Sequence, residues 1–395
     1  MGDTKAMKKM LGNMFAEIAD AIETGEFGKK VKVGLTTLGS EHGTENLVKG
    51  AELAAKSGED FDIVLIGPKV ETDFEIIEAN TEEMMHKKME ELLDSGYIKA
   101  CVTMHYNFPI GVSTVGRVVT PGLGKEMFLA TTTGTSAAHR AEAMVKNALY
   151  GIITAKAMGI EKPTVGILNL DGARQVERAL KELSAGGYEI NFGQSTRADG
   201  GSVMRGNDLL KGAVDVMVTD TLTGNIMMKV FSSYTTGGSY EASGYGYGPG
   251  IGEGYDRTIL ILSRASGAPV VANAIKYAAA LAKGNLKDIS KKEFEKAKKA
   301  GLDKILKELT KDSKKALAED EDVSAPPKEV VTGSISGIDI MDLEDAVKVL
   351  WKEGIYAESG MGCTGPIVLV NEEKLHRATE ILAKAGFVAK EGDVC

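Results

Sequence analysis

The sequence predicts an α/β fold: a doubly wound core of parallel sheets, large enough for two lobes, followed by a small C-terminal α/β module. Three observations predict it. Short apolar runs, VKVGL (31–35), FDIVLIG (61–67), ACVTM (100–104), TVGILNL (164–170), DVMVTD (215–220) and TILILS (258–263), alternate with helical stretches. That alternation demands right-handed crossovers and a mostly parallel sheet covered on both faces. The helical stretches at 44–57, 82–95, 137–158 and 174–185 each stop near a glycine, at 58, 96, 159 and 186, as C-terminal glycines do. The stretch AEDEDVSAPPKE (318–329) is acidic and then Pro-paired, the composition of an extended linker and hence of a boundary.

Taken in order, residues 1–28 hold an amphipathic helix: Met7, Leu11, Met14, Phe15, Ile18 and Ile22 recur at three- and four-residue spacing, which predicts one face buried against the body or a partner. Residues 29–320 form the core. Its last part, Lys283 to Asp320, is rich in Lys, Glu and Asp with apolar positions at Phe294, Leu302, Ile305 and Leu306, and reads as an exposed helix pair with a solvated face. Residues 328–395 form the module, with a helix at 342–353, strands near 355–359 and 366–370, and a last helix at 372–385.

Composition narrows the function. A chain of 395 residues with 43% hydrophobic and 26% charged content is globular. Lysines open the N-terminus, but no apolar h-region follows and no apolar run reaches the length of a membrane span, so a cytoplasmic protein is expected. A net charge of −9 argues against a nucleic-acid partner. Three cysteines, Cys101, Cys363 and Cys395, are too few for a disulfide framework and are either packed or reactive. The five histidines show no HExxH and the cysteines no CxxC, so no metal is expected. A GxSxG elbow and a Walker loop are likewise missing from the sequence.

Ligands of parallel α/β sheets bind at the loops that follow the strands. Those loops carry TTLGSEHG (36–43), TDTLTGN (219–225) and Ser263-Arg264-Ala265-Ser266-Gly267, while His139-Arg140 opens a long helix. Arginine with hydroxyls and backbone amides at strand ends is how such folds hold phosphate, although a surface arginine or a turn matches each short motif equally. GYGYGPGIGEGYDR (244–257) is not a dinucleotide fingerprint, because its glycines alternate and it runs into a strand. It reads as a loop that either lines a pocket or makes a structural turn. Cys363 stands among small residues in SGMGCTGPIVLV (359–370). It is either a nucleophile that glycines leave open to substrate or a small buried residue.

The runs VGLTTLGSEHGTENLVKGAELAAK (33–56), GTSAAHRAEAMVKNALYGIITAKAMGIEKPTVGILNL (134–170) and DLLKGAVDVMVTDTLTGNIMMK (208–229) resemble, in that order, the phosphate acyltransferases of phospholipid synthesis. The resemblance implies an isocitrate/isopropylmalate dehydrogenase-like fold, shared with phosphate acetyltransferases, whose Ser-Arg phosphate motif is similar to Ser263-Arg264; Ala265 departs from their glycine. GMGCTGPIVLV (360–370) has no place in the phospholipid enzymes. Core and module together resemble, over 1–395, the component C alpha subunits of glycine/sarcosine/betaine reductase complexes. That resemblance implies a carboxymethyl group presented on selenium by a selenoprotein, component A, taken over as an acetyl thioester on Cys363 and cleaved by phosphate to acetyl phosphate, with a component C beta subunit as partner. It implies no cofactor, with phosphate as co-substrate. It assigns His139, Arg140, Thr223, Asn225, Ser263 and Arg264 to the substrate and phosphate side, and leaves Cys101 as a possible second thiol or a packed strand residue. Two alternatives stand beside it: a stand-alone, acyl-carrier-dependent phosphate acyltransferase, and a non-catalytic scaffold subunit.

Overall fold

A computed structural model describes residues 30–196, 200–318, 323–338, 342–362 and 365–388, together with residues 12, 15, 18, 19 and 22. In chain order the elements are β1 (Val31–Thr36), α1 (Gly43–Ala55), β2 (Phe61–Gly67), β3 (Glu75–Glu78), α2 (Glu82–Asp94), β4 (Ala100–Thr103), β5 (Ser113–Val119), β6 (Glu126–Gly134), α3 (Arg140–Ala157), β7 (Thr164–Leu168) and α4 (Ala173–Ala185). Next come β8 (Asn191–Phe192), β9 (Val203–Met204), α5 (Gly206–Lys211), β10 (Val216–Val218), α6 (Thr221–Ser233), β11 (Gly248–Ile251), β12 (Ile259–Ile261), α7 (Ala268–Lys283), α8 (Leu286–Lys299) and α9 (Leu302–Ala318). The chain closes with β13 (Gly333–Ser336), α10 (Leu343–Lys352), β14 (Ala357–Gly362), β15 (Gly365–Val370) and α11 (Leu375–Lys384). This is a mixed α/β fold with mostly parallel strands. It divides into two compact units: Met1–Asn107 with Lys229–Gly250 and Tyr255–Lys287, and Phe108–Met228 with Ile251–Gly254 and Asp288–Cys395.

In the first unit the strands lie in the order β3-β2-β1-β4-β12-β11, all parallel except β11, which runs antiparallel to β12. Val33, Leu35, Val64, Leu65 and Ile66 are buried to within 1%, the unbroken apolar strand signature of a sheet covered on both faces. Helix α1 packs on α7, closely enough that a Cβ on Gly50 would fall 2.5 Å from Val271 Cβ.

In the second unit the order is β5-β6-β10-β7-β8, with β9 also beside β7. β5 and β6 are antiparallel, while β10 runs parallel to both β6 and β7. Helix α3 is buried along most of its length and lies so close to β10 that a Cβ on Gly151 would be 2.3 Å from Val216 Cγ1. Buried Glu293 on α8 accepts from Lys156 Nζ (2.6 Å), Tyr188 Oη (2.8 Å) and Lys296 Nζ (2.7 Å). Burial opposes its charge, but these donors outweigh it and hold its carboxyl below the usual range.

The segment from β13 to α11 has its own three-stranded antiparallel sheet, order β13-β15-β14. It also has its own core, with Ala346, Leu350, Ala357, Val368, Val370, Ala378 and Leu382 wholly buried.

The sequence reading and the structure differ in several places. The hairpin β5–β6 was not among the expected strands, because threonines interrupt its apolar pattern; the structure buries Thr114, Thr131 and Thr132 and bonds Thr114 Oγ1 to Thr132 Oγ1 at 2.7 Å. The glycine-rich segment 244–257 is not simply a loop, since it contains the buried strand β11. Glycine is what lets backbone pass there: a Cβ on Gly246 would meet Leu262 Cδ2 at 2.7 Å, and the residue has φ 78°. The charged pair α8 and α9 buries Phe294, Leu302 and Ile305 as expected from the pattern, but Glu293 also turns inward to its lysines. At the N-terminus Phe15 and Ile22 are helical yet 69% and 74% exposed, so the expected burial of that face against the body is not made by these two residues. Most of that helix, and residues 319–322 of the expected linker, lie outside the described residues. Among the described residues no helix is long and apolar enough to cross a membrane.

Candidate anion and acyl-transfer sites

The second unit brings four of the expected residues together where β6, β10 and β7 end. Asp220 follows β10 and accepts from Thr223 N at 2.7 Å, which starts α6 with a capped first turn. Asn225, one residue beyond Gly224, donates from Nδ2 to Thr132 O at the end of β6 (2.9 Å). Thr221 Oγ1 donates to Gly134 O (3.1 Å) and Thr219 Oγ1 to Thr131 O (3.1 Å), so a row of threonines stitches α6 to β6. This approach requires Gly224, since a Cβ there would sit 1.7 Å from Thr131 O. Behind the row, wholly buried Asn147 donates to Thr219 O (2.9 Å) and accepts from Ser136. His139 precedes α3 as its N-terminal cap residue, and its Nδ1 is buried with no hydrogen-bond partner among the described residues. Arg140 is the first residue of α3, and its guanidinium contacts Asp171 Oδ2 (2.9 Å) and Asp220 Oδ2 (3.4 Å).

The first unit holds the other two. Ser263 and Arg264 follow β12 and lead into α7 through Ala265, Ser266 and Gly267. Every carbonyl of this loop's centre is taken: Arg264 O accepts from Glu41 N (2.9 Å), Ala265 O from Glu241 N (3.0 Å), and Ser266 O from Asn46 Nδ2 (3.0 Å). Ser263 Oγ accepts from Ala265 N at 3.2 Å. Arg264 lines a small pocket with Leu38, Gly39, Glu82, His86 and His105. Its side chain is exposed and makes no ion pair or hydrogen bond among the described residues. The two arginines therefore differ as anion ligands. A phosphate arriving at Arg140 meets a guanidinium already compensated by two carboxylates; at Arg264 it meets one that no described residue compensates.

Of the thiols, Cys101 is wholly buried on β4, 2.8 Å from where a Cβ on Gly34 would stand. Burial pushes its pKa well above the usual thiol range. Strand β14 ends at Gly362 and β15 begins at Gly365, with these two glycines as register partners. Cys363 and Cys395 lie outside the described residues. Among the described residues no cluster of three or more His, Cys, Asp or Glu could hold a metal.

Sequence reasoning missed Asp171, Asp220, Gly224 and Glu241. Asp220 had a usable signal, an Asp directly before a helix, which is a preferred cap. The pairing of Asp171 and Asp220 with Arg140 had none, because it depends on which strands become neighbours.

The model for the family described as "Fatty acid synthesis protein" matches residues 31–369. The glycine/sarcosine/betaine reductase complex component C subunit alpha of Peptoclostridium acidaminophilum is 77% identical over 383 residues, 97% of this chain and 99% of that protein. A phosphate acyltransferase of Thermotoga petrophila is 29% identical over 234 residues, 51% of this chain and 67% of its own length. Among solved structures, a branched-chain phosphotransacylase from Enterococcus faecalis V583 is 15% identical and aligns over 64% of this chain and 99% of its own, with a TM-score of 0.45. The chain belongs to the fatty acid synthesis protein family and, within it, to the component C alpha subunits of glycine/sarcosine/betaine reductase complexes.

Proposed function

We propose that this chain is the acyltransferase subunit of a glycine, sarcosine or betaine reductase complex, working in the cytoplasm on an isocitrate/isopropylmalate dehydrogenase-like core with a thiol-bearing C-terminal module. Cys363 holds an acetyl group as a thioester. Phosphate then attacks the thioester carbonyl: a phosphate oxygen forms the new C–O bond, the C–S bond breaks, and the thiolate leaves with the electron pair, giving acetyl phosphate. Ser263 and Arg264 hold the attacking phosphate, and Thr223 and Asn225, at the start of α6, are candidate substrate contacts of the second unit. Component A, a selenoprotein, supplies the two-carbon unit, and a beta subunit completes component C.

The observation that carries this reading is the 77% identity running over 97% of the chain, which spans core and module together and so favours a component C subunit over a stand-alone acyltransferase. That nothing among the described residues pairs with the Arg264 guanidinium supports the phosphate assignment, because an uncompensated cation is the stronger donor to an oxyanion. The test is a labelling experiment. Incubated with acetyl phosphate, the wild-type chain should run the step in reverse and carry one acetyl group on the peptide containing Gly362-Cys363-Thr364. Cys363→Ser should lose the label and acetyl phosphate formation while keeping its fold, since serine is far less nucleophilic at neutral pH. An acetyl label on another residue, or full activity in Cys363→Ser, refutes the assignment.

A further inference from the structure

Glu241 lies in the first unit, between α6 and β11, and its side chain belongs to neither candidate site as described above. It is 3% exposed, and among the described residues no lysine or arginine pairs with it. A buried carboxylate without a cation is costly, and it persists only where hydrogen bonds compensate it. Here both oxygens are used. Tyr247 Oη donates to Oε1 at 3.0 Å, and Ser266 Oγ donates to Oε2 at 3.0 Å. Its backbone is committed as well: Glu241 N donates to Ala265 O (3.0 Å), and Gly267 N donates to Glu241 O (2.8 Å).

All of these bonds converge on the loop that carries Arg264. The side chain holds Ser266, the backbone holds Ala265 and Gly267, and the Tyr247 hydroxyl that Glu241 fixes also reaches the side chain of Ser263. Both flanks of Arg264 are thereby tied to one acidic residue, while Arg264 itself pairs with nothing among the described residues. Burial, and then the Glu241 charge, push the Tyr247 hydroxyl's pKa upward, so it stays protonated and remains a donor. A carboxylate suits this task because it only accepts, and its bonds from hydroxyls are charge-assisted.

We infer that Glu241 is a positioning residue for phosphate, holding the Ser263–Gly267 loop in the shape that presents Arg264 to the anion. The inference rests on the assignment of phosphate to Arg264. A residue that merely stabilised the unit would change its melting point without changing how the folded protein binds phosphate.

The test is equilibrium dialysis of inorganic phosphate against the full chain, with a melting curve for each variant. Arg264→Ala should weaken phosphate binding about 10- to 100-fold, the loss of one charge-assisted contact. Glu241→Ala should weaken it about 10-fold, and Glu241→Gln by about 3-fold or less, because the amide keeps one acceptor and the two hydroxyls can turn to suit it. In the Arg264→Ala background, Glu241→Ala should add no more than about 2-fold, since coupled residues are not additive. Tyr247→Phe removes one donor and carries the test if Glu241→Ala does not fold; it should weaken binding about 3- to 10-fold. If Arg264→Ala weakens binding while Glu241→Ala and Tyr247→Phe do not, the positioning role is wrong and the phosphate assignment stands. A full multiplicative effect in the double variant also overturns it. If Arg264→Ala leaves phosphate binding unchanged, the phosphate assignment itself fails and the role of Glu241 falls with it.

Discussion

Gly224→Ala is the smallest change that should disturb the join between α6 and β6. A Cβ at that position would stand 1.7 Å from Thr131 O, 2.7 Å from Thr219 Oγ1 and 2.9 Å from Thr131 C. Two of these atoms are backbone and cannot rotate away, so ordinary contact near 3.4 Å is restored only if α6 retreats by roughly 1.7 Å. That movement takes the 2.9 Å bond from Asn225 to Thr132 O and the 3.1 Å bond from Thr221 to Gly134 O out of range. Overpacking costs about 1–3 kcal/mol, and two neutral hydrogen bonds add about 1 kcal/mol each. The expected loss is therefore about 3–5 kcal/mol, measured by urea unfolding followed by far-ultraviolet circular dichroism. Gly206→Ala is the control. Nothing lies within 4 Å of a Cβ there, and as the first residue of α5 it should be neutral or slightly stabilising. A Gly224→Ala protein within about 1 kcal/mol of wild type would refute the reasoning, because the clash would then have been absorbed without moving the helix.

Two further outcomes follow from buried groups. Asp208 is wholly buried. Burial opposes its charge, but Arg205 N (2.8 Å), Thr196 N and Oγ1 (2.7 Å each) and Ser195 Oγ (2.7 Å) overcome this and hold its pKa at about 2. A depressed folded pKa gives stability that is complete above the unfolded value near 3.8 and is lost as the pH falls toward 2. Asp208→Asn should therefore cost on the order of 2 kcal/mol at pH 6 and almost nothing at pH 2; an equal loss at both pH values would show that the charge is irrelevant. Cys101 should resist iodoacetamide in the native chain and react once urea unfolds it, since only an accessible thiolate is nucleophilic. Peptide mapping that finds Cys101 alkylated within minutes in the folded protein would contradict its burial.

The sequence was a good guide to elements and a poor one to partners. Helices α1 to α4 fall within three residues of the expected stretches, because a 3.6-residue period and a terminal glycine are local signals. The six expected apolar runs coincide with β1, β2, β4, β7, β10 and β12 for the same reason. Strands β5 and β6 escaped notice because their buried threonines look polar until they bond one another. The short strand β11 escaped because glycine carries no β propensity. Residue types pointed to Ser263, Arg264, His139 and Arg140, each following a strand or opening a helix.

Composition, period and spacing thus determined an α/β chain without a metal motif, and picked out arginines and hydroxyls that follow strands or open a helix, and a thiol set among glycines near the C-terminus. Tertiary structure alone decided which of those residues are free to act. Arg140 and Arg264 look alike in the sequence, yet parallel pairing of β10 with β6 and β7 delivers Asp220 and Asp171 to Arg140, while nothing among the described residues pairs with Arg264. No local pattern singles out Glu241, but the return of the chain before β11 buries it under Tyr247 and Ser266. The physical reason is common to both: charge compensation and desolvation depend on distance in space, and the carboxylates that compensate Arg140 come from other strands, far from it along the chain.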